Sequence, residues 1–242
     1  MTLPNGAFPL ELLIPLYNYP NYWDLPNYIW DDLAASAANT SVTAIVNPNS
    51  GPGGAGPNGD YLIGMAQLRT AGVKILGYVS TNYGNRAIAD VKADIDLYQQ
   101  LFNINGIFID DIARSASMKH YYEELYTYAQ TAWANSASVV LNFGLQPNTN
   151  YYSSKILAGA TFVVYENDED TWNGFTNGHP AATQSLAALV HGASGSNLNS
   201  IVTKAIAQGM DYLYVTDRTL EQNPWDGLPS FWSALVAALT PA

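Results

Sequence analysis

The sequence predicts a (β/α)8 barrel of the TIM type, and three observations point to it. Eight short apolar runs recur along 242 residues. Helix-like patterns separate most of them. Each run also turns from apolar to polar at its C-terminal end, where such a barrel carries its chemistry. A doubly wound open sheet is the alternative, and the count of eight favours closure.

The runs, in order, are "LLIPLY" (12–17), "VTAIVN" (42–47), "KILGYVS" (74–80), "GIFID" (106–110), "VVLNFG" (139–144), "TFVVYE" (161–166), "LAALVH" (186–191) and "YLYVTD" (212–217). Most are continuous rather than alternating, as strands covered on both faces are. Between the third and fourth, Ile88, Val91, Ile95, Tyr98 and Phe102 recur at helical spacing. "SASMKHYYEELYTYAQTAWAN" lacks Gly and Pro. "LNSIVTKAIAQG" ends in Gly209, suited to a helix C-terminus, and Pro229 suits the start of the last helix. The segments after strands one, five and six are less clearly helical. The Gly- and Pro-rich stretch 47–60 is short and reads as a βα loop, so residues 1–242 form one domain.

Composition narrows the function. With 48% hydrophobic residues the chain can bury a large core. A net charge of -11 argues against nucleic acid, whose phosphates require Lys and Arg, and suits a neutral or cationic partner. No stretch approaches the roughly 20 apolar residues of a membrane span. There is no cysteine, hence no disulfide, thiolate metal site or Cys nucleophile. The N-terminus lacks the basic region and apolar run of a signal peptide. Low charge with many Asn, Ser, Thr, Tyr and Gly residues favours a secreted or cell-surface protein in its mature form.

Reading the eight strand ends gives Tyr17-Asn18, Asn47, Ser80-Thr81-Asn82, Asp110-Asp111, Asn142, Glu166-Asn167, His191 and Thr216-Asp217. A single Asn or Asp there has a simpler explanation as a helix N-cap or a solubilising loop residue, and Asp111 in particular suits the cap of helix four. Eight coincident polar ends describe a mouth of carboxylates, amides and tyrosines. Two carboxylates facing a sugar are the minimum for glycoside hydrolysis, one to protonate the leaving oxygen and one to attack or to activate water. Asp110 or Asp111, with Glu166, are the candidates. Crowding and burial would raise one carboxyl, as an acid catalyst needs. The segment "YNYPNYWDLPNYIW" supplies aromatics that stack on pyranose faces, with Tyr17 and Tyr19 nearest the first strand end.

Other chemistries fit poorly. "GPGGAG" (51–56) has the glycine spacing of a dinucleotide loop, but Pro52 and Pro57 stiffen it and the next strand ends without a ribose-binding acid. His120, His179 and His191 form no metal-binding pair. No G-x-S-x-G elbow is present.

"IVNPNSGPG" after strand two, "GYVSTNYG" around strand three, "GIFIDD", "VVYE" and "YVTD" together resemble the spherulin-4 family, across residues 12–217. The resemblance implies a (β/α)8 barrel that acts as a retaining endo-α-1,4-N-acetylgalactosaminidase on galactosaminogalactan-type exopolysaccharide. The family's acidic pair is usually Asp-Glu, and here it is Asp110-Asp111. Its strand-six glutamate matches Glu166. Where the family commonly has Asn-Pro-Gly after strand five, this chain has Asn142-Phe143-Gly144. By this resemblance Asp110 is the nucleophile, Glu166 the acid/base, and Asp111 a holder of Asp110 or of a substrate amine. Substrate binding is expected at Tyr17, Tyr19, Asn47, Asn49, Tyr78, Asn82, Asn142, His191 and Asp217. The expected enzyme is a monomer without metal or cofactor. The rival is a non-catalytic carbohydrate-binding or cell-surface protein on the same barrel.

Overall fold

The computed structural model describes residues 10–54, 56–179 and 182–240. Eight parallel strands close into a barrel in sequence order. They are β1 (Glu11–Leu16), β2 (Val42–Val46), β3 (Lys74–Ser80), β4 (Gly106–Asp110), β5 (Ser138–Asn142), β6 (Thr161–Asp168), β7 (Ser185–His191) and β8 (Tyr212–Val215). The closing pair, β1 with β8, is in register through Leu12 and Leu213. All eight expected runs are strands, two of them with identical ends and the rest with ends shifted by one or two residues.

The helices form the outer ring: α1 (Ile29–Ser36), α2 (Gly59–Thr70), α3 (Ile88–Leu101), α4 (Lys119–Ala132), α5 (Thr149–Tyr152), α6 (Glu169–Gly174), α7 (Leu198–Ala207) and α8 (Trp232–Leu239). The segments whose helical pattern is weak are the short ones, α5 and α6 above all. Asn58 starts α2 by accepting the Asp60 N–H at 2.9 Å, and Asp168 starts α6 by accepting that of Thr171 at 2.8 Å. Gly209 follows α7 with φ of 73°, a conformation glycine adopts without strain.

The core lies between barrel and ring. Trp30, Tyr98, Tyr122 and Trp172 are fully buried there. The Tyr98 ring lies where a side chain on Gly77 would stand, 2.5 Å from the position of a Cβ. Glycine in β3 thus lets α3 seat its aromatic against the sheet.

Register decides which side chains reach the barrel axis. Tyr78 pairs with Phe108, Ser80 with Asp110, and Phe108 with Val140. Residues two apart share a face, so Tyr78, Asp110 and Asn142 cap one inward face. Asn142 in turn pairs with Val163. Between β6 and β7 the register shifts: Val163 pairs with Ala187, but Tyr165 with Ala188 and Glu166 with Leu189. Val164 is an extra residue, a β-bulge, and it resets the alternation. Glu166, three residues after Val163, therefore faces inward with it. Without the bulge Tyr165 would hold that place.

Candidate active site

At the C-terminal mouth an open cleft of about 220 Å³ is lined by Asp110, Asp111, Asn142, Glu166, Tyr83 and Gly144, among others. Three barrel strands and the turn after β4 deliver its carboxylates and the amide between them.

Asn142 is the hub. Its amide nitrogen donates to Asp110 Oδ1 at 2.8 Å and to Glu166 Oε2 at 2.5 Å. Its amide oxygen accepts the Gly144 N–H at 3.0 Å, which fixes which way the amide points. Two oxygens sharing one NH2 group lie roughly 4–5 Å apart, close to the spacing of the carboxyl pair in retaining glycosidases.

Burial governs the protonation of this pair. Glu166 is pushed up to about 7, first by burial and then by the Asp110 charge, against the pull of the Asn142 amide and of the Trp225 indole N–H, which faces it. Asp110 is raised by burial and by Asp111, but three donors oppose the rise: the Asp111 backbone N–H, the Tyr78 hydroxyl and Asn142. With fewer donors opposing its rise, Glu166 is the group that keeps a proton near neutrality.

Asp111 sits in the left-handed region, φ 53°, where Asp is tolerated better than most residues. Its carbonyl accepts the Tyr83 N–H and the Thr81 hydroxyl, both at 2.7 Å. Its carboxylate accepts the Ser80 hydroxyl at 2.5 Å. It does not cap α4, which begins eight residues later after a short turn capped by Ser115. Its side chain is free of helix duty and lines the cleft.

Tyr17 and Tyr78 wall the same mouth. Their rings meet edge to face at 5.7 Å, and the charges of Asp110 and Glu166, after burial, raise both phenols. His191, at the end of β7, is buried and held below its ordinary pKa by burial, partly offset by Asp168.

Other expected binding residues carry loop duties. Asn47 accepts the Gly51 N–H at 3.0 Å and shapes the β2–α2 loop, with Asn49 exposed beyond it. Asn82 is an exposed left-handed turn residue, its N–H donated to Ser80 Oγ at 3.1 Å. Tyr19 bonds to Asn58 and Asp60 at the start of α2. Asp217 accepts the N–H of Ser230 at 3.1 Å and also its hydroxyl, closing the loop 217–230.

That loop brings in a residue the strand-end reading misses. Trp225 holds the β1 end by accepting the Tyr17 N–H at 3.0 Å. Its ring stands 6.2 Å from His191 and 6.0 Å from Tyr214, and its indole N–H faces Glu166. Its one sequence signal is a tryptophan in a loop after a barrel strand. Among the described residues no three His, Cys, Asp or Glu side chains group as a metal-holding set, and no helix is long and apolar enough to cross a membrane.

Comparison with known proteins agrees with this picture. Spherulin-4 of Physarum polycephalum is 32% identical over 246 residues, covering 96% of this chain and 70% of that protein. Among solved structures, Aspergillus clavatus Sph3 in complex with GalNAc superposes with a TM-score of 0.78 at 26% identity, over 97% of this chain and 98% of that one. A Bacteroidetes-affiliated GH5 cellulase shares the barrel alone, with a TM-score of 0.50 at 9% identity over 96% and 90% of the two chains. The profile of spherulation-specific family 4 matches residues 11–239, and the chain belongs to that family.

Proposed function

We propose that the chain is a glycoside hydrolase that cuts α-1,4-linked N-acetylgalactosamine or galactosamine chains internally, with retention of configuration. The observation that carries the reading is the pair Asp110 and Glu166, held on one Asn142 amide at 2.8 and 2.5 Å inside an open cleft. The likeness to a barrel solved with GalNAc supports the choice of sugar.

In this mechanism Glu166, protonated near neutrality, gives its proton to the glycosidic oxygen as the bond to the anomeric carbon breaks. Asp110, ionised and oriented by Tyr78 and Asn142, attacks that carbon from the opposite face and forms a glycosyl ester. The Glu166 carboxylate then takes a proton from a water whose oxygen attacks the anomeric carbon, which breaks the ester bond and returns Asp110 to its carboxylate. Asn142 touches both carboxyls, so it steadies the pair as charge passes from one to the other. Asp111 offers a further carboxylate to substrate hydroxyls or to an amine. The acidic chain would attract a partly deacetylated, cationic polymer outside the cell or at its surface.

The test is release of reducing ends from a galactosaminogalactan-type polymer, with product anomers followed by NMR. Internal cuts that yield the α-anomer first are expected. A polymer bound but never cut would make the protein a non-catalytic binding barrel.

A further inference from the structure

On the β1–α1 loop stands a cluster of exposed rings that the hydrolytic mechanism does not use. Trp23 is 62% and Tyr19 41% exposed. Exposed aromatics are ordinary when single and mobile. These are neither. Their rings contact each other at 6.2 Å, and Trp23 leans edge-on against Tyr22 at 5.1 Å. Tyr19 is braced from behind by Tyr61 at 5.5 Å, which meets the fully buried Trp30 at 6.0 Å. Its hydroxyl is bound at the start of α2, by Asp60 and by the Asn58 amide at 3.1 Å. The Trp30 indole reaches back to the Asn18 carbonyl at 3.3 Å and pins the loop from below.

We propose that Tyr19 and Trp23 form an accessory saccharide-stacking site on the β1–α1 loop, which takes pyranose units of a chain running out of the cleft. The proposal rests on the saccharide reading above and extends it. Continuity argues for this occupant. Tyr17 packs on Tyr78 and feels the charges of Asp110 and Glu166, and at most about 7 Å of backbone separates it from Tyr19. The chemistry argues the same way. A pyranose presents a C–H face to a ring and hydroxyls or an amine at its edge, and here Asn58 and Asp60 stand at the Tyr19 hydroxyl. A ring already held in place loses little freedom when a sugar settles on it.

Binding decides the matter without turnover. The Glu166→Gln protein is titrated with a partly deacetylated α-1,4-galactosamine polymer, alone and combined with Trp23→Ala, Trp23→Phe or, as a control on another loop, Leu220→Ala. Melting curves confirm that each variant folds. Trp23→Ala is expected to weaken polymer binding about 5- to 10-fold, Trp23→Phe to restore most of it, and Leu220→Ala to change nothing. If the parent binds the polymer and Trp23→Ala binds it equally well, the accessory site is wrong and the cleft stands. If the parent binds no polymer, the saccharide reading falls and takes this site with it.

Discussion

Asn142 gives one amide group to two acids, Asp110 at 2.8 Å and Glu166 at 2.5 Å, while its own oxygen is tied to Gly144. No rotation can improve one bond without spoiling the other. Asn142→Ala removes the donor both carboxylates share, leaves a small gap and should raise both titrations. Turnover is expected to fall about a hundredfold, with the fold intact by circular dichroism. Turnover within a factor of two of the parent would mean that the shared amide has no part in the chemistry.

Asp110→Asn and Glu166→Gln should each abolish detectable reducing-end release. Neither changes side-chain volume appreciably, and both leave Asn142 a partner. Melting temperatures should stay within a few degrees at pH 5. Unaltered activity in either variant would reassign the catalytic pair.

The raised titration of Glu166 couples function to stability with a definite sign. Its folded value, about 7, lies above the ordinary 4.5, so the folded state holds that proton more tightly than the unfolded state does. This contribution is fully present below about pH 4.5 and is lost as pH rises through 7. Asp110 is shifted in the same direction. Glu166→Gln removes the effect for one acid. Urea unfolding at pH 8.5 should therefore show the variant about 1–3 kcal/mol more stable than the parent, with near-equality at pH 4. Equality at both pH values would show a carboxylate ionised in the cleft without penalty, and thus a poor acid. For the parent, kcat/KM should fall above about pH 7 as Glu166 loses its proton.

Much of this was readable in the chain. The eight apolar runs and their polar ends follow from burial on both faces of each strand, and Asp110 and Asn142 face inward by simple alternation. Glu166 does not. Counting by twos from Thr161 puts Tyr165 inward, and only the bulge at Val164 turns Glu166 to the axis. A bulge is a property of how two strands register, and "TFVVYE" gives no sign of it. Asn47 and Asp217 carry a structural duty that the strand ends alone do not reveal. Asn and Asp are also the best residues for closing turns, and their side chains bond to Gly51 and Ser230. Trp225 lies in a loop some sixty residues from Glu166, and only the closed fold brings the two together.

Trp225 carries the remaining prediction. Its indole N–H faces the Glu166 carboxylate and favours the ionised form, while its backbone carbonyl holds Tyr17 and its ring packs toward His191 and Tyr214. Trp225→Phe keeps the backbone bond and most of the packing but loses the donor. A full hydrogen bond to a charged group is worth roughly 1.5–3 kcal/mol, and the looser approach of this indole, the smallest of the influences on Glu166, less. The titration of Glu166 should therefore move up by roughly 0.5–1 unit, and the alkaline limb of kcat/KM with it. A variant that lost activity evenly at all pH values, with the limb unmoved, would show that Trp225 only supports the wall of the cleft. The free protein gives an independent check. Glu166, assigned by its loss in Glu166→Gln, can be titrated by carbon NMR with and without the indole, and the shift should match the kinetic one.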